Sequence, residues 1–203
     1  MELRAQTELR ALIGANDWFM HVLRCVRDER IPEAWVGAGA LRDLVWGELF
    51  GSGFLPAQVH DVDVAFFVAD DLSRACDDQS TARLHRRCAS VPWQARNQAA
   101  VHTWYSAKFG GEPPPPLTSI ADAVGTWPET ATAVAVRLGN DDAIEICAPL
   151  GLTDLLTGVW RRNPRRASLE VSLDRLRRHE PARRWPGVTV VSPHDCQPLR
   201  LSV

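Results

Sequence analysis

The chain has 203 residues and a formal net charge of −2. That length is enough for one domain with a sizeable core, and the charge gives no field that would draw the protein to nucleic acid or an anionic membrane. Five widely spaced cysteines (Cys25, Cys76, Cys88, Cys147, Cys196) form no C-x-x-C pair, and the N-terminus is charged, without an apolar leader or any run of spanning length. These features predict reduced, core-filling thiols rather than a disulfide or zinc framework, in a cytoplasmic, non-membrane protein.

From about Leu3 to Arg30, Leu9, Leu12, Ile13, Phe19, Val22, Leu23 and Val26 recur at helical spacing, and Pro32 ends the run. Asn16-Asp17 divides it into two helices, with Asp17 expected to cap the second. Residues 1–31 thus read as an N-terminal helical extension packed on the remainder. The run Glu33-Ala34-Trp35-Val36-Gly37-Ala38-Gly39-Ala40-Leu41-Arg42 has the grammar of a strand, a tight turn of small residues and a helix start. Gly51-Ser52-Gly53 stops that helix, and a loop through Pro56 leads to the strand His60-Asp61-Val62-Asp63-Val64-Ala65-Phe66-Phe67.

After Asp70-Asp71 a helix is expected through Leu84 to Cys88, capped by Asp or Ser, then a third strand over 92–98. The stretch around His102, Trp104 and Tyr105 is polar and aromatic, and four consecutive prolines, Pro113 to Pro116, mark a loop. A short helix over Ser119 to Val124 follows. Two β-rich runs, Thr130 to Leu138 and Ala143 to Cys147, flank Gly139-Asn140-Asp141-Asp142, which reads as a hairpin. Short helices near Asp154 to Leu156 and from Ser168 to Arg178, an edge strand near Val188 to Val191 and a tail over 192–203 complete the chain. The whole predicts one α+β domain, a mixed sheet flanked by helices.

The chemistry concentrates at Asp61 and Asp63. A strand's side chains alternate faces, so these two carboxylates share one face while Val62 and Val64 take the other. Two like charges side by side repel, and a divalent cation held between them is the simplest compensation. The structural reading of a lone Asp-x-Asp is chance. The small-residue turn and Arg42 just upstream tip the balance toward a site. His60 reads as a loop residue. Asn97, Gln98 and His102 either line a pocket or cap helices, and Trp18, Trp35, Trp46 and Trp93 read as core. The arginines from Arg161 to Arg166 read as a solvated edge.

Gly39-Ala40-x-Arg42, Asp61-x-Asp63, Trp93-x-x-Arg96-Asn97-Gln98 with His102, Ala148-Pro149-x-Gly151-Leu152-x-Asp154-Leu155 and Arg162-Asn163-Pro164 together resemble a bacterial nucleotidyltransferase family. This family is a branch of the polymerase-β-like superfamily. The resemblance runs from about Trp35 to Pro164. It implies a polymerase-β-like nucleotidyltransferase fold and a Mg²⁺-dependent (or Mn²⁺-dependent) transfer of a nucleoside monophosphate from an NTP to an acceptor hydroxyl. Asp61 and Asp63 would hold the metal and act in catalysis. Gly39 and Ala40 would bring backbone N–H groups to phosphate at the helix start, and Arg42 would add a bidentate donor.

Three departures stand out, one of them a separation between the turn and Asp61 that is longer than in a minimal member. Many members carry Gly or Ser where this chain has Ala40. The strand following the next helix offers Gln94 where a third carboxylate is expected. Glu145, flanked by Ile144 and Ile146, is the best substitute on the pair's face, with Glu129 behind it. A catalytically degraded relative that binds a nucleotide or a protein partner is the competing reading. A metal-dependent phosphohydrolase would need a further set of His and Asp ligands that the sequence lacks.

Overall fold

The computed structural model describes residues 2–110, 112 and 114–196. Helices α1 (Glu2–Gly14) and α2 (Asp17–Glu29) precede β1 (Trp35–Gly37), which runs directly into α3 (Ala38–Phe50). Then come β2 (Val62–Phe66), α4 (Arg74–Arg87), β3 (Trp93–Asn97), α5 (Val101–Phe109), α6 (Ile120–Val124), β4 (Ala135–Leu138) and β5 (Ile144–Cys147). The chain closes with α7 (Thr153–Leu156), β6 (Val159–Trp160), α8 (Leu169–His179), α9 (Pro181–Arg184) and β7 (Thr189–Val190). Side-chain caps set several starts. Asn16 accepts from the Phe19 N–H, Ser73 from Cys76, Ser119 from Asp122 and Ser168 from Val171. The cap of α2 is therefore Asn16 and not Asp17, which lies in the first turn where its charge favours the helix dipole.

Five strands form one mixed sheet in the order β3-β2-β1-β4-β5, with only β2 and β3 parallel. The expected edge strand near Val188 instead pairs with β6 in a separate two-stranded sheet. The β-rich start at Thr130 is a 3-10 turn, and strand geometry begins only at Ala135.

The sheet's two faces differ in kind. One face carries Val36, Val62, Val64, Phe66, Ala95 and Val136, buried against α2, α3 and the N-terminal helix. Leu9, Ile13, Phe19 and Val22 are fully buried in this same core, so the N-terminal helices share it. Arg10 on α1 also donates to the Ile144 carbonyl of β5 at 2.9 Å. The opposite face is covered only in part. Ala65, Ala133 and Ala135 pack there with Ile120 and Val124 of α6, with Trp35, Trp127, Cys147 and Leu150 half-buried around them. Among the described residues, no helix is long and apolar enough to cross a membrane.

A candidate nucleotide and metal site on the open face

Asp63 lies in β2 opposite Gly37 of β1 and beside Gln94 of β3. It is half-buried, whereas Asp61, the residue before the strand begins, is exposed. Burial pushes the Asp63 carboxyl up to about 7, and the neighbouring Asp61 charge adds to the rise, against the pull of Arg175, Arg96 and Arg42. The two carboxylates therefore feel each other, and the protein supplies cations around them without neutralising them by contact.

The β1–α3 junction sits directly against Asp63. Gly37 has no room for a side chain. A Cβ there would lie 2.5 Å from the Val134 carbonyl oxygen and 2.8 Å from the Trp127 ring. Ala38 follows at φ 53°, a left-handed conformation that an L residue adopts at a cost of about 1–2 kcal/mol. The strain lets the chain turn from strand to helix without a spacer, so α3 begins at the pocket wall that Ala38 lines. Around Gly39 a Cβ would meet only the Arg42 Nη2 atom at 3.8 Å. The first N–H groups of α3 are thus approachable, and the dipole there favours an anion.

A cavity of about 250 Å³ opens beside Asp63, lined on its cationic side by Arg96, Lys108, Arg166 and Arg175. Trp104, Tyr105 and Trp127 add ring surface, and Gln94, Gln98, Thr126 and Thr132 add polar groups. Two of the cations stack on rings, Lys108 at 5.7 Å from the Trp104 centroid and Arg166 at 5.2 Å from that of Tyr105.

No short motif marks Arg175, yet it is paired inside the site by a fully buried carboxylate. Its Nε and Nη2 donate to the two carboxylate oxygens of Glu129 at 2.6 and 2.9 Å, and Glu129 is fully buried. Burial opposes the Arg175 charge, but Glu129, Asp63 and Asp61 outweigh it and hold its pKa above the ordinary value. The residue comes from α8, more than a hundred positions beyond the Asp pair, and only the packing of α8 brings it there.

Three expectations require correction. Arg42 does not face the cavity. It is 2% exposed, donates through Nε and Nη2 to Asp43 at 3.0 and 2.7 Å, and lies 5.2–5.9 Å from the rings of Trp46, Trp160 and Trp185. Its charge reaches Asp63 as a field and not as a contact. Glu145 shares the face of Asp63 by strand parity but sits on β5, three strands away, a separation of roughly 14 Å across the sheet. It pairs with Arg137 at 2.7 Å and does not join the two aspartates. Arg166 lines the cavity and is no part of a merely solvated edge. Of the polar residues at the end of β3 and beyond it, Gln98 lines the cavity. Asn97 instead knits the backbone, donating to the Val68 and Asp71 carbonyls and accepting from the Ala99 N–H.

A family model described as nucleotidyltransferase matches residues 24–190. The chain is similar to a solved structure described as revealing a CCA-adding enzyme head domain: 25% identity, a TM-score of 0.75, and 92% of this chain and 95% of that one covered. It is also similar in fold to a CCA-adding enzyme in complex with CTP, with 14% identity, a TM-score of 0.51, and 94% and 43% coverage. A Thermotoga maritima CCA-adding enzyme complexed with tRNA gives 13% identity, a TM-score of 0.54, and 93% and 43% coverage. This chain therefore spans less than half of those last two proteins. No match emerges among curated proteins. With the helix-flanked mixed sheet and the Asp-x-Asp strand beside the glycine turn, the family match makes this chain a member of the nucleotidyltransferase family, a transferase built on the fold of the CCA-adding enzyme head domain.

Proposed function

We propose that the protein transfers a nucleoside monophosphate from an NTP to an acceptor hydroxyl, with a divalent cation, Mg²⁺ or Mn²⁺, held by Asp61 and Asp63. The observation that carries this reading is the meeting of three features: the Asp pair, the half-buried start of α3 at Ala38 and Gly39, and a cavity beside Asp63 lined by four cationic side chains. The donor set suits a hard cation, since both groups offer carboxylate oxygens. The proton affinity of Asp63 is raised by burial first and by the Asp61 charge second, and a bound cation would offset both. When bound, the cation would polarise phosphoryl oxygens and neutralise charge that develops on them.

The chain's own residues do the rest by positioning. Backbone N–H groups at Gly39 and Ala40 take phosphate oxygens at the start of α3. Arg175, locked by Glu129 and therefore pre-oriented, adds its charge to the cavity wall. Trp104, Tyr105 and Trp127 supply ring faces for the nucleobase.

A second reading has one specific observation behind it. Gln94 stands beside Asp63 on β3, and Glu145 stays at the far sheet edge. A site with two carboxylates and no third would bind nucleotide and Mg²⁺ while transferring poorly.

The test is incubation with NTPs labelled at the α-phosphorus, with Mg²⁺ and a cell extract, following the labelled product and pyrophosphate release. Transfer RNA belongs among the acceptors tested, because a structural relative is described in complex with it. Label transfer that disappears in Asp63→Asn supports the transferase. Nucleotide-dependent thermal stabilisation without label transfer or pyrophosphate release supports the binding protein.

A further inference from the structure

Helix α2 carries His21 and Cys25 one turn apart on the same face, and the C-cap of α4, Cys88, comes up against them. The His21 Nε2 atom lies 3.2 Å from the Cys88 sulfur and 3.6 Å from the Cys25 sulfur, and all three ligand atoms fall within 4.8 Å of one another. We propose that His21, Cys25 and Cys88 form a binding site for one soft divalent cation of the Zn²⁺ type, separate from the nucleotide site.

The geometry is that of a tetrahedron's face. With Zn–S near 2.3 Å and Zn–N near 2.0–2.1 Å, a sulfur and a nitrogen on adjacent corners stand roughly 3.6 Å apart, and two sulfurs roughly 3.8 Å. The observed nitrogen–sulfur separations match that edge to within a few tenths of an ångström. Two sulfurs and an imidazole select Zn²⁺ over Mg²⁺, because soft thiolates bind soft or borderline ions. Both cysteines are buried while His21 is exposed, so the cluster has a dry floor and an open mouth. Three protein ligands then leave a fourth corner for water. Binding exchanges two thiol protons for one cation.

The site is held in place without the metal. Glu29 of α2 takes Arg83 and Arg87 of α4, each at 2.8 Å, and so sets the register of the two helices beside the cluster. The Ser90 hydroxyl lies 3.4 Å from the Cys88 sulfur as an outer partner. Sequence spacing hid the site, since Cys25 and Cys88 stand far apart in the chain and share no short motif.

The experiment is a titration of the reduced, metal-stripped protein with Zn²⁺, in an Asp61→Asn/Asp63→Asn background that removes the acidic pair as a competing ligand. Calorimetry reads affinity, Co²⁺ absorption reads thiolate ligation and tetrahedral geometry, and a thiol reagent counts protected cysteines. One equivalent of Zn²⁺ is expected, with two thiols protected and a sulfur-to-cobalt band. Cys25→Ser, Cys88→Ser and the exposed His21→Ala should each weaken binding by about 100-fold or more. No Zn²⁺ uptake, or uptake unchanged in Cys25→Ser and Cys88→Ser, overturns the proposal. A reduced protein that takes up no Zn²⁺ but readily forms a Cys25–Cys88 disulfide also overturns it and makes the pair a redox couple.

Discussion

Gly37 and Asp63 are register partners across β1 and β2, so the last residue before α3 stands directly beside the inner carboxylate. The pairing works only because position 37 lacks a Cβ, which would strike the Val134 carbonyl and the Trp127 ring. Gly37→Ala should therefore destabilise the fold by about 1–3 kcal/mol through overpacking. It should also lower nucleotide affinity, because the start of α3 must move. Chemical denaturation and nucleotide titration check this. Unchanged values in both would show that β1 and β4 can part at no cost.

Asp63 makes a pH prediction with a definite sign. Its native pKa of about 7 lies above the unfolded carboxylate value, so the native state holds this proton more tightly than the unfolded chain does. Stability from this group is full below the unfolded value near pH 4 and is lost as pH rises toward 7. Asp63→Asn should raise the melting temperature at pH 8 and leave it nearly unchanged at pH 4. Mg²⁺ with ATP should stabilise the wild type at pH 8 and have much less effect on the variant. Equal ligand-induced shifts in both proteins would place the metal elsewhere.

Arg42 and Arg175 should fail in different ways. Arg42→Ala breaks a buried ion pair and empties a cage of three tryptophans, a loss of about 3–5 kcal/mol. Its nucleotide affinity, measured where it remains folded, should change little. Arg175→Gln leaves Glu129 buried and unpaired, and Glu129→Gln in the same chain should restore part of the stability. Nucleotide affinity should stay reduced in the double variant, since a charge-assisted contact is worth about 1.5–3 kcal/mol. Full recovery of binding there would make Arg175 purely structural.

Glu145→Gln tests the third carboxylate. Its pairing with Arg137 is partly exposed, so the loss should stay within about 1 kcal/mol. Transfer activity, if present in the wild type, should persist in Glu145→Gln. Abolished transfer in a folded Glu145→Gln protein would require the sheet edge to approach the Asp pair during turnover.

His179 adds an acid-side prediction. Burial, then Arg42 and Arg175, push its imidazole down to about 4. The native state thus binds this proton less readily than the unfolded chain, and stability falls as pH drops from about 6.5 toward 4. His179→Gln should flatten that part of the stability curve in chemical denaturation. An unchanged slope would assign the acid loss to other groups.

Local order was legible where chemistry repeats at short range. The 3.6-residue stripe of Leu9, Ile13, Phe19 and Val22 marked the N-terminal helices, and alternation around Val62 and Val64 marked the Asp-bearing strand, because both periods are properties of the backbone itself. The turn after Trp35-Val36 was legible too, since only small residues permit it, although Gly37 and Ala38 carry the constraint more than Gly39 and Ala40 do. Tertiary structure alone decided which cations meet the carboxylates. Arg42 is near them in sequence but is drawn inward by Asp43 and three tryptophan rings, whereas Arg175 arrives from α8 because Glu129 receives it. The same holds for Glu145. Alternation correctly sets its face, but strand order sets its distance, and β5 lies at the opposite edge from β3. Face is a local quantity with a period of two, while order in the sheet depends on which strands find each other across long loops, and no short window of residues encodes that.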